Sequence, residues 1–274
     1  MKNNQFIYTT KEVSRYYDLT GKGLAFYEEK GIISPSRTDN HKYRIFTLAD
    51  CYNLYHSKLY SNCGFTLKDT ADILQHEHLN NTLQLVNSKA EEMHKNILKQ
   101  ERILYHLQRI ADTLEKYNND NSYEIINSPD FYRLLVRDFD TPHIASPAQA
   151  AEFEEWNSII PINTASLKIP KLALFSDIPE FNVGIGNIIS KYDFTLFQFK
   201  MSESVESLPS RKCLHAIVKG NSEKINTTEW LKDVLEYVQH NNIKIIDDAY
   251  TSMLIVTNED NLKVRYDEIW IPIE

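Results

Sequence analysis

Residues 8–74 decide the fold. They open Tyr8-Thr9-Thr10-Lys11-Glu12-Val13, pass through Asp18-Leu19-Thr20-Gly21-Lys22 and Leu24-Ala25-Phe26-Tyr27-Glu28-Glu29-Lys30-Gly31, and run on past Thr66-Leu67-Lys68-Asp69. Thr9 with Glu12 has the spacing of a capping box, in which the hydroxyl accepts a helix-start amide and the carboxylate reaches back to the cap amide. Thr20 is placed to cap a second helix, and Gly31 to end it in the left-handed conformation that a residue without Cβ adopts freely. Thr47 with Asp50 and Thr66 with Asp69 repeat the cap spacing before two further apolar runs. The stretch therefore reads as two helix-turn-helix units, with a basic, aromatic turn between them. Val13, Tyr16, Leu19, Leu24 and Tyr27 are spaced to form a small helical core.

Between the two units, Ser36-Arg37-Thr38-Asp39-Asn40-His41-Lys42-Tyr43-Arg44 is polar and lies between Pro35 and the Ile45-Phe46 anchor. It reads as a hairpin wing with its turn at Asp39-Asn40. Arg37, Lys42 and Arg44 are the cations it offers to phosphate. Lys22 falls in the first turn of the second helix, where a helix entering the major groove presents its reading side chains.

The whole stretch resembles the DNA-binding domain of the MerR family of transcriptional regulators. The carriers are Tyr8 to Val13, Leu24 to Gly31 followed by Ile32-Ile33-Ser34-Pro35, then Tyr43-Arg44-Ile45-Phe46-Thr47, and Gly64-Phe65-Thr66-Leu67-Lys68-Asp69. Ala25 and Lys42 stand where the family usually has Arg and Gly. The first departure removes a cation from the recognition helix, and the second adds one to the wing. The resemblance implies a winged helix-turn-helix, with Lys22, Phe26, Tyr27, Arg37, Lys42, Tyr43 and Arg44 on double-stranded promoter DNA. It places the Phe26-Tyr27 pair at the DNA backbone and base edges, whereas ordinary aromatic packing turns one of the two inward.

From Leu83 to Leu114 apolar residues recur three and four apart, with no Gly or Pro: Leu83, Val86, Ala90, Met93, Ile97, then polar Gln100, then Leu104, Leu107, Ala111 and Leu114. This is a heptad seam that a lone helix would leave in water. A partner must cover it, either a second copy or the chain's own second domain. The resemblance implies an antiparallel coiled coil between two protomers of a homodimer.

Net charge is −8, but residues 1–75 carry 10 Lys+Arg against 8 Asp+Glu while residues 119–274 carry 14 against 24. The basic share lies where nucleic acid would be met. With 274 residues, 42% of them hydrophobic, the chain can bury two modest cores. The expected division is 1–75 for DNA binding, 76–118 for the dimerisation helix and 119–274 for an effector domain. Cys51, Cys63 and Cys213 form no C-x-x-C pair, so no disulfide framework, metal site or cofactor is expected. Met1-Lys2-Asn3-Asn4 opens no apolar signal segment, and no run approaches a membrane span. A cytoplasmic protein with no membrane partner is expected.

After the polar hexamer Tyr117 to Ser122, strands are expected at Phe131–Val136, Lys171–Phe175, Thr195–Phe199, Cys213–Val218, Tyr250–Val256 and Lys263–Ile271, with helices near 148–160 and 228–239. The order suggests a duplicated strand-helix-strand-strand unit, and the chain is α+β. Tyr266-Asp267-Glu268-Ile269-Trp270-Ile271-Pro272-Ile273 looks like the closing strand of the GyrI-like effector-binding domain of multidrug-sensing, BmrR-type MerR regulators. Ser207 to Cys213 and Trp230 to Asn241 are similar to the entry and the helix of its second repeat. Thr251 stands where such domains often carry a pocket acid.

Strand alternation puts Tyr266, Glu268 and Trp270 on one face and Asp267, Ile269 and Ile271 on the other. An acid between two aromatics is a cation receptor in outline, with Tyr192, Phe197, Phe199 and Tyr250 as further candidates for its walls. In the alternative, Glu268 pairs with a surface Lys. The expected function is a ligand-responsive regulator, probing a flat, aromatic or cationic effector and activating by distorting a promoter for RNA polymerase. The competing reading is a small-molecule hydrolase with a pocket Glu and Tyr as acid–base groups. No nucleophile-base-orienter arrangement is legible, so a non-enzyme is favoured.

Overall fold

The computed structural model describes residues 6–38, 43–75, 78–119, 123–137, 146–175 and 180–274. The chain divides into two compact units, Met1–Leu98 and Lys99–Glu274.

The first unit starts with β1 (Ile7–Thr9), α1 (Thr10–Tyr17), α2 (Gly21–Glu29), β2 (Ser36–Arg37), β3 (Arg44–Thr47), α3 (Leu48–Asn62) and α4 (Leu67–Gln75). The caps form as their spacing requires. Thr9 and Glu12 close a reciprocal box, the Thr20 hydroxyl accepts from the Gly23 amide at 3.1 Å, and Thr66 and Asp69 exchange the same bonds before α4. Asp50 accepts from Thr47 at the start of α3 and also from the Ser34 amide at 2.8 Å, so one buried carboxylate ties α3 to the segment leaving α2. Gly31 has φ +70, and a Cβ there would lie 2.9 Å from Gln75 Nε2. Strands pair in the order β1-β3-β2, with Arg37 opposite Arg44 in the hairpin. The turn expected at Asp39-Asn40, and Lys42 with it, lie outside the described residues. Val13, Leu24, Ile32, Ile33, Phe46 and Leu54 form the core beneath the wing.

Helix α5 (Leu79–Asn119) is continuous over 41 residues. Leu83, Val86, Met93, Ile97, Leu104 and Leu107 are each between 40% and 56% exposed on it. Within the second unit, the face of α5 that meets the sheet and α7 carries Arg102, Ile103, His106 and Arg109.

The second unit continues with β4 (Glu124–Asn127), β5 (Phe131–Arg137), α6 (Pro147–Asn157), β6 (Thr164–Ile169), β7 (Gly184–Ser190), α7 (Lys191–Leu196), β8 (Val205–Leu208), β9 (Lys212–Asn221), α8 (Lys232–His240), β10 (Ala249–Glu259) and β11 (Leu262–Pro272). Its eight strands run β4-β9-β11-β10-β6-β7-β5-β8, each pairing antiparallel. The duplication is visible in this order. β5-α6-β6-β7 and β9-α8-β10-β11 are two strand-helix-strand-strand units that meet where β6 pairs β10 at Ala249 opposite Ile169. The strand before each unit crosses to the other: β4 pairs β9, and β8 pairs β5.

Two expected strands are not strands. Lys171–Leu174 is a 3-10 turn, because Pro170 offers no amide and the Lys171 amide is taken by Asp248 at 2.8 Å. Thr195–Phe199 follows a helix start at Ser190, whose hydroxyl accepts from the Asp193 amide at 3.0 Å, and Gln198 at φ +59 breaks the chain out of α7. Leu167, Ile169, Leu214, Ala216, Ile269 and Ile271 bury one sheet face against Trp230, Leu231, Val234 and Val238. By alternation Glu268 and Trp270 face away from that core.

Candidate functional site

The residues expected at nucleic acid lie on α2 and the hairpin. Lys22 is exposed in the first turn of α2. Phe26 and Tyr27 separate as adjacent helical residues must: Phe26 is 46% exposed, with Lys30 Nζ 5.4 Å above its ring, while Tyr27 packs on the core. Tyr43 is 71% exposed at the base of the hairpin. Arg37 and Arg44 are not free cations, because Glu28 on α2 accepts from both, at 2.9 and 2.7 Å. Glu28 thus fixes the hairpin against α2 and offsets one of its two charges.

In the second unit a cavity of about 440 Å³ opens on the sheet face opposite the main core. Glu268 and Trp270 on β11, Ser252 on β10 and Ile188 on β7 form its floor, and Arg102, His106 and Arg109 of α5 line it from above, with Tyr192 of α7 at its side. Register explains the floor. Glu268 stands opposite Ser252, and Trp270 stands opposite His215, whose ring lies 4.2 Å from the indole.

Glu268 lies on the sheet face opposite the main core, neither as an unpaired carboxylate nor with a surface Lys. It is 6% exposed, accepts from Arg109 Nη1 at 2.7 Å, and has His215 Nε2 at 3.6 Å. Burial pushes its carboxyl up, yet the His215 imidazole and the Arg109 guanidinium outweigh that and hold it below the ordinary value of 4.5. Arg102 makes a bidentate pair with Asp193 at 2.5 and 3.0 Å, and its guanidinium lies 4.3 Å from the Tyr105 ring and 5.0 Å from the Tyr192 ring. Burial, then the nearby Arg109 charge, lowers His106 to about 4, so its imidazole is neutral at pH 7.

Of the other wall candidates only Tyr192 reaches this cavity. Phe197 and Phe199, which follow α7, belong to the core cluster with Trp156 and Phe194. Tyr250 shares the face of Trp270, but its hydroxyl reaches away to Glu206 at 2.8 Å. Tyr266 lies farther along β11, where it donates to Glu259 and meets Tyr117 edge-on. Thr251 points to the opposite face, its hydroxyl accepting from the Leu167 amide at 3.0 Å. Arg102, Tyr105, His106, Arg109 and Phe131 were missed. The signal available was basic Arg102 and Arg109, seven apart, on the side of α5 away from its seam.

Among the described residues, no group of three His, Cys, Asp or Glu is placed to hold a metal ion, and no helix is long and apolar enough to cross a membrane. The three cysteines are free, with Cys51 and Cys213 buried.

The first unit thus holds a winged helix-turn-helix, and the second is a duplicated sheet unit with a cavity. Residues 8–77 match the family described as MerR HTH family regulatory protein. Over 267 residues, 90% of this chain and 89% of the relative, it is 21% identical to the multidrug-efflux transporter 2 regulator of Bacillus subtilis. Solved structures similar to it include the EcmrR–DNA complex in EcmrR-RPo, at 16% identity and TM-score 0.37 over 97% of this chain and 99% of that one. SAV2435 bound to tetraphenylphosphonium is 14% identical, with TM-score 0.33, over 56% of this chain and 94% of that one.

Proposed function

We propose that the chain acts as a one-component, ligand-responsive regulator, with residues 1–75 on promoter DNA, 76–118 in the dimer contact and 119–274 holding the effector. The observation that carries this reading is the cavity itself: a buried acid, Glu268, beside Trp270 and Tyr192, roofed by the same helix that exposes the apolar seam. An aromatic or cationic effector of lipophilic character suits those walls, since ring faces attract a cation by about 0.5–2 kcal/mol. The Bacillus subtilis relative, named for regulating a multidrug-efflux transporter, supports the same class.

On this reading the protein is a cytoplasmic homodimer paired through α5. It activates by distorting a dyad-symmetric promoter so that RNA polymerase engages both of its recognition elements. Ligand shifts that balance only by binding one dimer geometry better than the other. The hydrolase alternative is the weaker one. Tyr250, one of the expected wall tyrosines, is committed to Glu206, and burial raises its hydroxyl to about 12, poorly matched to acid–base work at neutral pH.

The test is binding of a lipophilic dye cation, followed by fluorescence, to the wild type and to Glu268→Gln. Loss of affinity in the variant, with the dye recovered unchanged, is the expected result. Equal affinity in both proteins removes Glu268 from the site, and a converted dye restores the hydrolase.

A further inference from the structure

Three basic residues of α5 lie seven apart on one side of the helix, and each meets an acid of the sheet unit: Arg102 with Asp193, Arg109 with Glu268, and Lys116 with Glu124. The outer two ties differ from the middle one. Arg102 grips Asp193 through two nitrogens, and Asp193 also accepts from the Ser190 hydroxyl at 2.7 Å, so that carboxylate is fully engaged. Lys116 and Glu124 are a solvent-exposed pair. Of the two arginines, Arg109 uses a single nitrogen, from a side chain still 31% exposed, on a buried carboxylate that forms part of the cavity floor. The remaining oxygen, Oε1, has the His215 ring at 3.6 Å, beyond hydrogen-bond length.

A buried carboxylate held at one point by a cation that can withdraw to water is an ion-exchange site. An uncompensated buried charge is strongly unfavourable, so Arg109 leaves only when another cation arrives. A guanidinium is planar, delocalised and weakly hydrated, and whatever displaces it must be comparably cheap to strip of water. We propose that an organic cation binds this cavity by replacing Arg109 at Glu268, and that release of Arg109 is how α5 registers the ligand. The preferred ligand is a delocalised, weakly hydrated cation with aromatic surface for Trp270 and Tyr192. A neutral aromatic of the same size fills the cavity but leaves Arg109 in place, so it has no differential effect on α5. This rests on the cavity being the effector site.

The exchange makes Arg109 an internal competitor, which separates it from a merely structural residue. Titration calorimetry on the full-length protein would use tetraphenylphosphonium as the cation and triphenylphosphine oxide as the neutral probe. Arg109→Gln is expected to bind tetraphenylphosphonium about fivefold or more tightly than wild type, a normal coupling for contacting residues, with the neutral probe unchanged. In Arg109→Gln/Glu268→Gln that gain disappears. If Arg109→Gln loses its cooperative melting transition, Arg109→Lys carries the test. Its ammonium is more strongly hydrated and a poorer competitor, so it too binds the cation more tightly than wild type. Unchanged or weakened cation binding in the folded variant overturns the exchange while leaving the cavity assignment standing. Equal gains for both probes also overturn it, as they mean only that the cavity was widened. If the wild type does not bind tetraphenylphosphonium, or Glu268→Gln alone binds it as well as wild type does, the cavity assignment fails and the exchange falls with it.

Discussion

Glu28 Oε2 lies 2.7 Å from Arg44 Nε, so a carboxylate of α2 holds a cation of the hairpin. Arg44→Ala is expected to weaken binding to operator and random duplex alike and to flatten the salt dependence by about one unit of slope, as losing one phosphate contact does. Fluorescence anisotropy across a salt series measures both. An unchanged slope would mean that Arg44 serves only to anchor Glu28.

The exposed seam of α5 leads to a second expectation. Ile97 and Leu104 are 53% and 56% exposed in the single chain, and a second copy is the natural cover for the stripe they share. Placing Asp at both positions should convert dimer to monomer at micromolar concentration in sedimentation velocity. A dimer that survives the double change is held elsewhere.

His106 gives the second unit a pH dependence whose sign can be worked out. Its folded value of about 4 lies below the ordinary 6.5, so between these the unfolded chain takes up a proton that the folded one refuses. Stability is therefore complete above pH 6.5 and declines as pH falls towards 4, by roughly 1 kcal/mol per unit. Glu268, held below 4.5, adds its own loss only under that pH. Urea denaturation at pH 7 and pH 5 should show the decline in wild type and a smaller one in His106→Gln. Parallel behaviour of the two proteins would place the titration on another group.

Gly186 of β7 allows a close approach that no other residue permits. A Cβ there would come within 2.3 Å of the Leu134 carbonyl on β5 and 3.0 Å of the Arg133 guanidinium. Gly186→Ala should destabilise the second unit by roughly 1–3 kcal/mol through forced backbone shifts. Calorimetric melting measures this, and a melting temperature equal to wild type would show that β5 and β7 separate without cost.

The same glycine explains part of what sequence reading lost. Gly184-Ile185-Gly186-Asn187-Ile188-Ile189-Ser190 has neither alternation nor a β-branched run at its start, and β7 exists because its neighbours on both sides supply partners. Ser190 with Asp193 has the cap spacing also present at Thr9 and Thr47 and starts α7, whereas the aromatic run that follows it has the composition of a strand. Phe197 and Phe199 therefore lie in the core and not on a strand face.

Where the information is local, the chain alone was enough. Caps at Thr9, Thr20, Thr47 and Thr66, the positive-φ Gly31, the seam of α5 and the inside-outside alternation of β11 each depend on residues a few positions apart, whose geometry follows from helix and strand periods. The partners of Glu268 depend on tertiary structure. Arg109 is 159 residues away in the chain and His215 reaches the site from β9, so only the folding of α5 over the sheet and the register of β9 with β11 bring them to one carboxylate. Coulomb attraction and desolvation act on distance in space, and no spacing in the chain encodes that distance.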